Sequence, residues 1–108
     1  MTEPICVVLT TLPDLSEARR IAGILVEEHL VACGSVVPGV ESIYRWEGRV
    51  TSSHEVFLVL KTTVDRYSQV EMRLRSLHPY EVPEILRFGV EGGWPPYLGW
   101  VLESVRRD

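Results

Sequence analysis

Apolar positions follow two rhythms along this chain, and the places where they change mark its elements. Residues 5–12, ICVVLTTL, form one continuous run rich in β-branched side chains and closed by Pro13, as expected of a central strand buried on both faces. Asp14 with Glu17 three residues on gives a capping-box-like start. Ala18, Ile21, Ala22, Leu25 and His29 then recur at helical spacing, which predicts a helix from about 14 to 30. From Cys33 to Trp46 the β rhythm returns, interrupted at Pro38-Gly39 by what reads as a bulge or bend within one long strand. Glu47-Gly48 supplies a hairpin tip, and residues 49–62 run back as its second arm, most apolar at VFLVL. Thr63 is expected to cap a second helix carrying Tyr67, Val70, Leu74 and Leu77. EILRFGV then reads as a strand, Gly92-Gly93 as a break, and Pro95-Pro96 as the opening of a third helix with Tyr97, Leu98, Val101 and Val105 on one face.

This β-α-β-β-α-β order with an added C-terminal helix predicts an α+β, ferredoxin-like domain over 1–108: a four-stranded antiparallel sheet with helices on one side. One length does not suit a lone protomer. Hairpin arms of about fourteen residues at roughly 3.3 Å each reach about 45 Å, while a domain of ~100 residues has a radius of gyration near 13 Å. The hairpin must overhang the domain or curl hard, and its tip, IYRWEGRV, carries Ile43, Tyr44, Trp46 and Val50. An exposed apolar arm is an aggregation hazard unless another chain covers it, so an obligate oligomer is expected, its arms lying across neighbouring subunits.

Between the second helix and the last strand lies HPYEVPE, residues 78–84. A residue before proline is pushed out of the helical region, so His78 and Val82 are expected to be extended and the segment to form a stiff, nearly straight strap. Alternation along it places His78, Tyr80 and Glu84 on one side and Glu81 on the other.

Composition narrows the function classes. A 108-residue chain with 45% hydrophobic and 24% charged residues suits one soluble globular domain. The net charge of −4, without a basic run longer than two residues, argues against nucleic acid. MTEPICVVLTT lacks a basic leader, and its apolar run is too short for a signal peptide or membrane span; the protein is expected to be cytoplasmic. Cys6 and Cys33 are then free thiols. The chain has no Asn and one Gln, Gln69, which points toward a thermostable protein. Ten of its eleven basic residues are Arg; the single Lys61 suggests a position where a compact ammonium is needed. Related chemistries are disfavoured by what is missing. The first βα loop, TTLPDLSEA, has no C-x-x-C for a copper chaperone, and HEVFLVLK lacks the Gly-aromatic pattern of an RNA-recognition strand. No asparagine is present for acylphosphatase-type catalysis.

LVAC (30–33), PG (38–39), SIYRWEG (42–48), the strand from Glu55 to Lys61, HPYEVPE and PPYLGW (95–100) occur in an order and spacing that resemble the CutA family, the divalent-cation tolerance proteins. The resemblance covers nearly the whole chain. It implies a homotrimer of ferredoxin-like protomers, a link to tolerance of copper and other divalent cations, and an inter-subunit cleft gathering Cys33, Lys61, His78, Tyr80 and Glu84 with Trp46 nearby. Three uses of that cleft stay open. Thiolate, imidazole and carboxylate from Cys33, His78 and Glu84 suit Cu²⁺ or Zn²⁺, although Lys61 opposes a cation beside it. Lys61 with Tyr80, His78 and the Glu84 carboxylate also suits a PII-like signalling module or a small-molecule or anion-binding protein using the same cleft. Alternatively the signature residues hold the interface, with Tyr44, Trp46, Trp94, Tyr97 and Trp100 as packing aromatics and Glu55 pairing with Arg45 or Arg49 of another subunit. No cofactor is required, no nucleophile–base–orienter order is visible, and no enzyme activity is expected. His29 and His54 are expected to lie on the outer part of a helix and on a hairpin arm, without a ligand partner.

Overall fold

The β-branched run at the start of the chain becomes an inner strand, paired on both sides. In the computed structural model, which describes residues 4–106, β1 (Ile5–Leu12) lies inside a four-stranded sheet with β2 (Cys33–Trp46), β3 (Arg49–Thr63) and β4 (Ile85–Gly89), in the order β2-β3-β1-β4, with all neighbours antiparallel. The single domain expected over 1–108 extends past those residues at both ends.

Alternation along β1 sorts the core. Cys6, Val8 and Leu12 point to the face covered by α1 (Leu15–Glu27) and α2 (Tyr67–Leu77), where they pack with Ile21, Leu25, Leu58, Leu60, Val70 and Leu74. The start of α1 is built as expected: the Asp14 carboxylate accepts the Glu17 backbone N–H at 2.8 Å. The helix ends at Glu27, three residues short of the expected end, because His29 takes a left-handed backbone, φ 59°, that closes the last turn.

α3 (Pro95–Ser104) departs from the expectation of helices on one side. Its Val101 and Val105 pack with Ile5 and Ala32, and Ile5 alternates with Cys6, so this helix covers one end of the opposite face. Among the described residues the rest of that face is open. His29, for which no ligand partner was expected, ties the chain just after α1 to α3: its Nδ1 donates to the Ser104 carbonyl at 3.1 Å.

The long hairpin is β2 (Cys33–Trp46) and β3 (Arg49–Thr63), joined at Glu47-Gly48, both with positive φ, the two-residue turn that matches strand twist. The register shifts by one residue between Val37 and Val40, which confirms the bulge at Pro38-Gly39; Gly39 holds φ 79°, where a side chain would be strained. β1 reaches only as far as Val56, so residues 40–46 and 49–55 form a two-stranded arm standing beyond the sheet. The protomer is accordingly 48 Å long and 26 by 22 Å across.

Two local expectations are corrected. Thr63 is followed by one turn of 3-10 helix, Val64–Arg66, before α2, and its hydroxyl donates to the Asp65 carboxylate rather than capping a backbone N–H. The 78–84 connector is bent, not straight: His78 is extended as expected, φ −73° and ψ 134°, but residues 79–82 turn before the chain enters β4 (Ile85–Gly89).

Candidate functional site

The expected cleft residues fall into two separate groups in the protomer. The first stands on the open sheet face beside α3. The bulge consumes one residue of β2, so Cys33 lies directly across from Lys61. The Lys61 ammonium donates to Ser35 Oγ at 2.7 Å and pairs with no carboxylate among the described residues. Tyr97, reaching over from α3, holds its hydroxyl 3.9 Å from the Cys33 sulfur; burial and then this contact push the phenol pKa up.

The second group is the connector. His78 is 8% exposed and both ring nitrogens are committed. Nδ1 accepts the Tyr80 backbone N–H at 3.1 Å, which places the ring proton on Nε2. That N–H donates to the Thr11 carbonyl at 2.9 Å and lies 3.1 Å from Thr10 Oγ1. Burial depresses the His78 pKa, against smaller upward pulls from the Thr11 bond and the Glu17 and Glu55 charges. Tyr80 turns its hydroxyl to Glu55, donating at 2.8 Å, and burial together with this bond moves its pKa well above the usual phenol value. Glu55 is thereby engaged within the same chain through one of its two carboxylate oxygens.

The remaining two expected residues join neither group. Glu84 is exposed just before β4 and makes no hydrogen bond among the described residues. Trp46 stands at the tip of the arm. Among the described residues no three His, Cys, Asp or Glu side chains gather as a metal set, so Cys33, His78 and Glu84 are not one site within a protomer. Two surface hollows, about 490 and 540 Å³, lie at the end of α3 and between α1 and α2, and none of these residues lines either. Ser35, Tyr97, Thr10 and Thr11 are additions that periodicity did not single out as site residues.

In the protomer this arrangement provides a lone cation beside a thiol and, apart from it, a locked histidine. Neither group has the nucleophile, base and orienter of a catalytic centre.

Residues 6–104 match the family described as CutA1 divalent ion tolerance protein. The divalent-cation tolerance protein CutA of Thermus thermophilus is 46% identical over 98 residues, covering 91% of this chain and 95% of its own. Protein CutA 1, chloroplastic, of Oryza sativa is 37% identical over 107 residues, which is 99% of this chain and 60% of that protein. Of solved structures, the periplasmic divalent cation tolerance protein CutA from Archaeoglobus fulgidus superposes with a TM-score of 0.91 at 31% identity, covering 94% of this chain and 99% of that one.

Proposed function

The chain belongs to the CutA1 divalent ion tolerance family, and from that membership we propose a cytoplasmic homotrimer that serves divalent-cation tolerance, with the assembly rather than the protomer as its working unit. The observation that carries this reading is apolar surface left bare in two places. On the open sheet face Phe88 is 51% exposed beside Leu86 on the edge strand β4, Val37 is exposed on the opposite edge strand β2, and on the arm Trp46 is 64% and Val50 68% exposed. A soluble monomer rarely leaves such surface to water, and a two-stranded ribbon alone is marginal, so copies of the chain cover both. An arm laid head-to-tail on the next copy's sheet gives a ring where the rotation closes; three members is the number that the family resemblance implies.

The seam of this ring is where Cys33 and Lys61 of one copy come to share a cleft with Tyr80 and Glu84 of the next, with Trp46 of an arriving arm at its rim. Cu²⁺ stands highest in the affinity order of first-row divalent ions, and Cys33, whose sulfur has only the long Tyr97 contact, and Glu84 of a different copy are the donors that would take it. His78 holds the connector instead of ligating. Binding is weak, since the Lys61 ammonium stands opposite Cys33 and repels a cation. We assign no catalytic step.

Calorimetric titration of metal-free protein with Cu²⁺ and Zn²⁺, repeated on a Cys33→Ser, Glu84→Gln variant, tests the cation reading. Saturable heat at no more than one ion per subunit, abolished in the variant, is expected. No saturable heat in the parent protein, or the same heat in both, would overturn it.

A further inference from the structure

β1 stops supporting the hairpin at Val56, and Glu55 is the first β3 residue beyond it. Across from Glu55 stands Val40, the first β2 residue after the bulge, so this pair is the root at which the two-stranded arm leaves the sheet. At that root one side chain from outside the hairpin makes a hydrogen bond: the Tyr80 hydroxyl to the Glu55 carboxylate, 2.8 Å. Tyr80 is itself anchored. Its backbone N–H donates to His78 Nδ1, and His78 donates on to the Thr11 carbonyl of β1. The path from the central strand to the root of the arm is thus Thr11, His78, Tyr80, Glu55.

We propose that the 78–84 connector is a latch that aims the arm, fixing through the Tyr80–Glu55 bond the direction in which it leaves its own protomer. A bulge bends a ribbon but leaves it soft, because it removes ladder hydrogen bonds at the bend. A short bond from a half-buried phenol to a carboxylate is charge-assisted and directional, and supplies the stiffness the bulge removes. Tyr80 and Glu55 are in this sense positioning residues for assembly. The effect on assembly rests on the trimer proposed above; the effect on the arm does not.

Amide hydrogen exchange tests the latch in the full-length protein, comparing residues 40–46 and 49–55 with the sheet stretch 56–63. Tyr80→Phe removes only the hydroxyl, and exchange in the arm is expected to speed up about tenfold while the sheet keeps its rate, the loss of one charge-assisted bond. Glu55→Gln keeps an acceptor oxygen and should restore most of the protection that Glu55→Ala loses. In guanidinium the Tyr80→Phe assembly should dissociate at lower denaturant than its parent. Arm exchange unchanged in Tyr80→Phe, or Glu55→Gln no better protected than Glu55→Ala, would overturn the latch. If the parent protein is monomeric the assembly reading fails, and arm exchange still decides the latch. If Tyr80→Phe does not fold, the Glu55 pair decides it.

Discussion

Both nitrogens of His78 are bonded in a way that only the neutral ring allows: one N–H donor to Thr11 and one lone pair toward Tyr80. A second ring proton would face the Tyr80 N–H, donor against donor. The sign of the pH effect follows. The folded pKa is depressed below the unfolded value of about 6.5, so the unfolded chain takes the proton first as pH falls. Stability attached to this group is whole above about pH 6.5 and declines below it toward the folded pKa. His78→Gln is expected to be less stable at pH 8 and to show a flatter fall between pH 6.5 and 5 in denaturant titrations; parallel curves for the two proteins would contradict the assignment. That His78 matters was legible from its place between a helix end and a proline. Its partners were not, because Thr10 and Thr11 lie 68 and 67 residues away in sequence and only the packing of the connector against β1 brings them close. The Cys33–Lys61 pair was within reach of the sequence: counting back from the Glu47-Gly48 turn, with one residue lost to the bulge, sets Lys61 opposite Cys33.

At the level of elements, the hairpin shows most plainly what patterning can and cannot do. Its two arms, its turn and its bulge all follow from Pro38-Gly39, Glu47-Gly48 and the alternation around them, since each needs a backbone geometry that few residues adopt. Gly39 sits at φ 79°, so Gly39→Ala is expected to cost roughly 1 to 2 kcal/mol. For a protein this size that lowers the melting midpoint by several degrees at fixed concentration, and an unchanged midpoint would mean the bulge relaxes freely. The connector bends although its sequence reads as straight, because each proline fixes only its own φ and the residue before it; Tyr80 and Glu81 stay free, and the chain turns there as Tyr80 reaches both His78 and Glu55. α3 was recognised as a helix, but its side of the sheet was not. Its apolar stripe is compatible with either face, and Ile5 and Ala32 on the far side decide the matter.

For the whole molecule, the governing feature is a sheet with one face filled by α1 and α2 and the other covered only at one end by α3. Val37, Leu86 and Phe88 are bare on that face, and Ile43, Trp46 and Val50 on the arm, which is the surface that other copies of the chain would cover in the proposed trimer. Covering them also bears on heat resistance. A chain with no Asn and one Gln, stabilised further by association, is expected to melt above the range of roughly 45 to 65 °C common to mesophilic domains, and a midpoint inside that range would contradict this. The most direct test of the account is the mass in solution, by light scattering after gel filtration, of the parent protein and of variants that place a charge on each bare surface, Phe88→Glu and Trp46→Glu. Both side chains are exposed in the protomer, so its fold should survive either change. The account predicts about 37 kDa for the parent, three chains of 12.3 kDa, and smaller species for both variants. A parent of one chain's mass, or a trimer that keeps its mass with both charges in place, would contradict it.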